Sequence, residues 1–377
     1  MAALDNELTT SACAIAPVHN PRIQEENEIM TRISKFPSPV RTAGWALSVA
    51  LLPLAVQPVA AQEIELRAAD SLPTGHYIAQ SLIEPFMERV SERTGKTEFA
   101  YFPAQQLGKA KDLLSLTQTG VTDIGYVGPS YVSDKMPLSA VGQLPEAFST
   151  SCEGTMAYWE IAKPGGALDQ AEFAPNGVRL LMAMVLPPYN LLTSSREISG
   201  LDSMEGLKIR STGGALDLTI QKIGGVPVQM PAPEVREALS RGTIDAGLFP
   251  YPSVTPYGME TFLDWGTQGM NFGSFVATYV ISHEKWDSLP EDVQQAMTAI
   301  GEDLTREGCE TADRQNLEVK QQIAEAGVTF VDLPAGDVEK LNQILSTVGS
   351  EWAEQLDAQG KPGTEILEAF RSALKRN

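Results

Sequence analysis

From about residue 62 onward, apolar and polar positions alternate between two periods. Ile64 to Ala69 alternates as a strand does. Tyr77 to Thr94 puts Ile78, Leu82, Ile83, Phe86, Met87 and Val90 on one helical stripe, and Gly95 stops it. Thr97 to Phe102 reads as a strand, Lys109 to Thr119 as a helix closed by Gly120, and Asp123 to Val127 as a strand again. This order predicts an α/β fold.

The pattern repeats itself. Residues 102–131 read FPAQQLGKAKDLLSLTQTGVTDIGYVGPSY, and residues 230–253 read MPAPEVREALSRGTIDAGLFPYPS. Each begins with a strand ending in Pro-Ala and continues as a helix closed by Gly120 or Gly242. Each then enters a strand with Asp two residues before Gly, Asp123/Gly125 or Asp245/Gly247, and ends in Pro-Ser. A β-α-β unit used twice predicts two similar lobes with a cleft between them. In open α/β sheets ligands lie beyond the carboxyl ends of the strands. Those ends are Gly128-Pro129-Ser130-Tyr131 in the first copy, and Phe249-Pro250-Tyr251 with the segment after Arg210 in the second.

Toward the C-terminus the period becomes helical. Pro290, Glu291 and Asp292 make a good first turn. The pattern then runs with almost no breaker to Gly327, long enough to lie across both lobes. Val328 to Leu333 is a late strand, and two further helices are expected to close the chain.

The N-terminal part differs. Met30 opens a stretch with Arg32, Lys35 and Arg41 at its start, an apolar run from Ala43 to Val56, and small residues at Val59-Ala60-Ala61. Residues 30–61 read as a secretory signal peptide with cleavage after Ala61, or else as an uncleaved anchor. The run is short for a span, which takes roughly 20 apolar residues. Residues 1–29 resemble no targeting segment and read as an upstream extension before the true start. The net charge is −20. Five acidic and four basic residues precede Gln62, so cleavage leaves −19. Such a chain repels phosphate backbones and anionic lipid, so nucleic acid is not an expected partner. An anionic ligand would need local positive charge.

Two cysteines follow the leader, Cys152 and Cys309. In an oxidising compartment they form a disulfide or remain two buried thiols, and spacing does not decide. No Cys-x-x-Cys pair, His-Glu-x-x-His, Walker loop, GxGxxG or GxSxG elbow occurs. Only His76 and His283 remain for Ser–His or Cys–His chemistry. Catalysis, a metal site and a cofactor are therefore not expected.

At Gly206-Leu207-Lys208-Ile209-Arg210 the chain resembles the DctP-type solute receptors of tripartite ATP-independent periplasmic (TRAP) transporters. The resemblance covers nearly all of 62–377. It is densest in LDSMEGLKIR (201–210), GGVPVQMPAPEVREALSRGTIDAG (224–247) and HEKWDSLPEDVQQAM (283–297). It implies a periplasmic-binding-protein-like α/β fold of two lobes around a ligand cleft, linked by a long helix. The lobes are expected as 62–186 with 276–315, and 187–275 with 316–377. It also implies a periplasmic monomer that closes over one small organic acid and hands it to the small and large subunits of a membrane permease. A ligand-presenting sensory protein on the same fold is an alternative reading, and a periplasmic enzyme a weaker one.

The resemblance gives Arg210 the role of carboxylate clamp, which suits a planar fork of donors. Where many members carry a second Arg, this chain has Asn190, and Phe249 stands about where many place an Asn. A lost charge and added aromatics point to a monocarboxylate with an apolar or aromatic body. His76 is either a cleft residue or a satisfied structural histidine. Ser130, Tyr131 and Tyr251 stand at strand ends facing the expected cleft. Phe249 is read as cleft rather than core, and Phe275 as either hinge or pocket. Glu234 is a helix N-terminal charge.

Overall fold

The computed structural model describes residues 63–145, 148–194 and 196–376. The upstream stretch and the leader-like segment lie outside the described residues. The first half runs β1 (Ile64–Ala69), α1 (Tyr77–Ser81), α2 (Ile83–Thr94), β2 (Thr97–Phe102), α3 (Leu113–Gln118), β3 (Ile124–Val127), α4 (Ser151–Ala162), β4 (Val178–Val185), β5 (Asn190–Thr193), β6 (Lys208–Ser211), α5 (Ala215–Lys222) and β7 (Val226–Gln229). There follow α6 (Val235–Ser240), β8 (Ala246–Phe249), β9 (Trp265–Thr267), β10 (Val276–Ser282), α7 (His283–Ser288), α8 (Glu291–Glu325), β11 (Thr329–Val331), α9 (Ala335–Leu345), α10 (Val348–Asp357) and α11 (Gly363–Leu374).

The strands form two sheets, ordered β2-β1-β3-β10-β4 and β11-β9-β5-β8-β6-β7. Each contains a parallel trio, β2-β1-β3 or β7-β6-β8, flanked by an antiparallel strand, β10 or β5. The repeat read in the sequence is thus the same β-α-β unit in each sheet, and its aspartates explain part of the identity. Asp123 accepts the backbone N–H of Arg67 at 2.7 Å, and Asp245 that of Lys208 at 2.9 Å. Each also pairs with the side chain of that same basic residue, at 3.2 and 4.0 Å. The carboxylate therefore joins the third strand of each trio to the first.

Three connections join the sheets. β4 leads to β5 through residues 186–189, and β9 returns to β10 through residues 268–275. These two lie side by side: Leu186 N–H donates to Phe275 C=O, Tyr189 N–H to Gly273 C=O, and Phe272 N–H back to Tyr189 C=O. Gly273 has φ +114, and a Cβ there would lie 2.5 Å from the Gln143 carbonyl oxygen. Only glycine suits that position. The third connection is α8. At about 1.5 Å per residue it spans roughly 50 Å. It packs on α2, α4 and β4 of the first sheet, and near its end Ile323 enters the core cluster of Val235, Tyr251 and Val254.

Some expectations need revision. The helix foreseen from Tyr77 to Thr94 breaks at Leu82, where φ/ψ is −120°/−77°. Pro85 three residues later cannot donate to Ser81 and crowds its carbonyl, so the chain restarts as α2. The helix expected from Lys109 begins only at Leu113. The preceding loop is pinned to the end of β1 instead, with Ala104 N–H on Leu72 C=O and Gln105 N–H on Asp70 C=O. Both residues take the left-handed conformation, at φ +53 and +63. Three helices, not two, close the chain, and α11 packs on α4 beside the first sheet.

Cys152 and Cys309 are joined in a disulfide. It ties the first turn of α4 to the middle of α8. Beside it Asp313 accepts the backbone N–H groups of Ser151 and Cys152 at 2.6 and 3.1 Å, so a side chain of α8 caps α4. Among the described residues no helix is long and apolar enough to cross a membrane.

Candidate functional site

Arg210 lies in β6 between β7 and β8, next to the carboxyl end of the strand. Its side chain is 1% exposed. Nε donates to Met230 C=O at 3.1 Å and one terminal nitrogen, Nη2, to the Tyr131 hydroxyl at 3.2 Å. The other, Nη1, is buried without an acceptor. The guanidinium carbon sits 4.4 Å from the centre of the Phe249 ring. That ring can lie there because Gly247 has no side chain: a Cβ would stand 2.7 Å from it. No carboxylate among the described residues forms an ion pair with Arg210. A buried charge in this condition is costly, and an anion relieves the cost.

Around Arg210 the carboxyl ends of both parallel trios converge on a small cavity. From the first sheet come Leu72 and His76 after β1, Tyr126 in β3 and Tyr131 after it. The connections supply Leu186, Tyr189 and Phe275. The second sheet adds Ala232, Phe249, Ser253 and Tyr257. Gly128 allows the Tyr131 and Phe275 rings to meet at 5.0 Å, since a Cβ would lie 2.3 Å from Phe275. Phe249 stacks on Tyr189 at 6.2 Å. Burial drives the hydroxyls of Tyr126, Tyr189 and Tyr257 well above the usual tyrosine range, so they stay neutral. Arg210 is the single permanent cation in this lining.

His76 caps α1. Its Nδ1 accepts the Ile78 N–H at 3.3 Å. Burial pushes its pKa down to about 3, so the ring is neutral and the proton resides on Nε2. Nε2 is buried and has no partner. Just behind the site, Asp70 at the end of β1 accepts Leu72 N–H at 2.8 Å and the hydroxyls of Tyr101 and Tyr279. Burial raises its pKa to about 7.

The expected residues divide. Arg210, Phe249, Tyr131, His76 and Phe275 come together. Phe275 lines the cavity with its ring, while its carbonyl accepts the Leu186 N–H of the neighbouring connection. Three others stand outside the lining. Tyr251 donates its hydroxyl to Thr267 C=O at 2.8 Å and packs edge-on against Phe330 at 5.2 Å, inside the second core cluster. Asn190 turns its amide to Pro188 C=O and the Thr267 hydroxyl, at 3.4 and 3.5 Å, rather than beside Arg210. Ser130 is buried in the turn below Tyr131, and its hydroxyl lacks a partner. Tyr126, Tyr189, Ser253 and Tyr257 were missed. Tyr189 could have been found, being the aromatic neighbour of Asn190 in the crossover.

A larger, open depression of about 400 Å³ lies near the start of β1, between Glu63, Glu65, Lys96 and Lys285. Its charges are exposed or half-exposed and face solvent, so it lacks the buried, unpaired donors of the first site. Among the described residues no cluster of His, Cys, Asp or Glu could hold a metal ion.

The model of the bacterial extracellular solute-binding proteins, family 7 (DctP), matches residues 68–355. The chain is 24% identical over 341 residues to the "outer membrane transporter protein TsaT" of Comamonas testosteroni, covering 88% of this chain and 97% of that one. Two solved structures share its fold at 22% identity. One is a TRAP solute-binding protein of Rhodoferax ferrireducens in complex with copurified benzoate, with a TM-score of 0.77 over 83% of this chain and 98% of that one. The other is a TRAP periplasmic solute-binding protein of Bordetella bronchiseptica with bound (R)- and (S)-mandelate, with a TM-score of 0.75 over 83% and 99%.

Proposed function

This chain belongs to family 7 of the bacterial extracellular solute-binding proteins, and from that premise we propose that it is the periplasmic receptor of a TRAP transporter for a monocarboxylate with an aromatic or otherwise apolar body. The observation that carries the reading is Arg210. It is buried, it lacks a carboxylate partner, and one terminal nitrogen has no acceptor. A carboxylate supplies both the charge and the acceptors, and charge-assisted bonds of this kind contribute about 1.5–3 kcal/mol each. The single permanent cation in the lining favours one carboxylate over two. Phe249, Tyr189, Tyr131 and Phe275 offer faces to a ring or a branched apolar body. The benzoate and mandelate held by the two similar structures fit that class.

The moving bodies in this reading are the two sheets with their helices, about 62–186 with 276–315 and 187–275 with 316 onward. The last helix, α11, packs both on α10 of the second body and on α4 of the first. The paired connections 186–189 and 268–275 form the hinge, and ligand shifts the population toward the closed arrangement. Release goes to a membrane permease with a small and a large subunit. Export uses the leader-like segment 30–61. The ligand leaves unchanged, without turnover.

A thermal-shift screen of residues 62–377 against organic acids, with Arg210→Ala alongside, tests the reading. A ligand at a thousand times its dissociation constant adds about 4 kcal/mol. A monocarboxylate that stabilises the native chain and not Arg210→Ala supports it. Tighter binding of succinate or malate than of any monocarboxylate overturns the substrate class, and stabilisation that persists in Arg210→Ala overturns the clamp.

A further inference from the structure

The cavity holds a second buried donor without an acceptor. His76 is 1% exposed and lines the same cavity as Arg210. Its orientation is fixed on three sides. Nδ1 is occupied by the Ile78 N–H at 3.3 Å. One ring face stacks on Tyr77 at 4.8 Å, and Tyr257 of the second sheet leans against it at 5.2 Å. What remains is Nε2–H, which finds no partner in the protein. Leaving such a donor buried and unmatched is costly, because it has given up its bonds to water and gained none in return. The cap itself uses only the Nδ1 acceptor, which a shorter Asn or Ser would supply as well, so it gives Nε2 no task.

We propose that His76 is the second recognition point of the site, donating Nε2–H to a neutral oxygen on the ligand. The preferred ligand then carries a hydroxyl or carbonyl oxygen in addition to its carboxylate, and the bare aromatic acid is the poorer substrate. The second oxygen is neutral because no cation besides Arg210 lines the cavity. An unsubstituted ring would bury Nε2–H against carbon, and a pocket built to bond a substrate oxygen rejects the analogue lacking it. This inference rests on the proposed carboxylate receptor and narrows its substrate class.

The test is the affinity ratio between each oxygenated acid and its parent, measured by calorimetry. The probes are benzoate against the three hydroxybenzoates, and phenylacetate against mandelate and the hydroxyphenylacetates. In the native chain at least one oxygenated acid should bind tenfold or more tightly than its parent. In His76→Asn that ratio should fall below about threefold, since Asn can keep the bond to Ile78 N–H but lacks the reach of Nε2. His76→Gln, with a longer amide, should recover part of the ratio. Native parent acids that bind as tightly as every oxygenated relative overturn the inference, as does an unchanged ratio in His76→Asn, including the case where parent and oxygenated acid weaken by one common factor. If no acid of either kind binds the native chain, it is the carboxylate reading that fails, and this inference falls with it.

Discussion

Tyr131 joins the two halves of the site through one oxygen. Its hydroxyl, carried by the first sheet, accepts from Arg210 Nη2 and from the Ala232 backbone N–H of the second sheet, each at 3.2 Å. Tyr131→Phe keeps the ring against Phe275 and leaves both donors unmatched. Each loss of this kind is worth about 1 kcal/mol or more, so ligand should bind roughly tenfold more weakly. Calorimetry checks this, and unchanged affinity would mean that the bridge contributes nothing to closure.

Arg210 should show opposite effects on binding and on stability. Arg210→Met removes the proposed clamp, and binding of a monocarboxylate found to stabilise the native chain should weaken by at least about a hundredfold. The same change removes a buried charge without a counter-ion, so the unliganded chain should melt at the same or a higher temperature. Arg210→Lys should not rescue binding, because an ammonium lacks the planar fork. A clear drop in the melting temperature of unliganded Arg210→Met would make the arginine a structural residue.

The Cys152–Cys309 bridge closes a loop of 157 residues and lies outside the cavity lining. In the chain-entropy model such a loop contributes on the order of 5 kcal/mol. The double variant Cys152→Ser, Cys309→Ser should lose several kcal/mol in urea unfolding. Reductant should produce the same loss in the native chain and none in the variant.

Two buried carboxyl groups set the pH dependence. Burial lifts Asp70 from 3.8 to about 7 and Glu172 from 4.5 to about 7. Their folded pKa values exceed the unfolded ones, so their contribution is present below the unfolded values and lost as pH rises through about 7. His76 works in the other direction. Its pKa falls from 6.5 to about 3, so its contribution is present above 6.5 and lost as pH falls toward 3. Between 4.5 and 6.5 the folded chain binds about one more proton than the unfolded chain. Stability should therefore rise as pH falls through that window, by about 1.4 kcal/mol per unit. Asp70→Asn should nearly flatten the slope there. A slope unchanged in this variant would place the proton uptake elsewhere.

Much of this was legible along the chain. β1 and β2 fall on the residues their alternation marks, and the duplicated Pro-Ala, Gly, Asp-x-Gly pattern returns as two parallel trios with matching aspartate bonds. Periodicity works because it reports which side of a local element is buried, and the Asp positions work because a strand edge needs the same donor matched in each copy. The family resemblance pointed to Arg210 and the cleft.

The assembled chain settled what local pattern could not carry. Periodicity marks Phe249 and Tyr251 alike as buried, but burial against core and burial against a cleft have the same hydrophobic signature. Only the packing shows Phe249 under Arg210 and Tyr251 bonded to Thr267. Asn190 was aligned to the site, yet its side chain leaves it, because the strand it begins points its amide toward Thr267. Tyr126, Tyr189 and Tyr257 reach one cavity from positions dozens of residues apart. Two cysteines in a sequence permit a bridge, and it is the crossing of α4 and α8 that brings them together. Local order is decided by neighbours a few residues away. A site made of strand ends from two sheets exists only once the three connections have brought those sheets face to face.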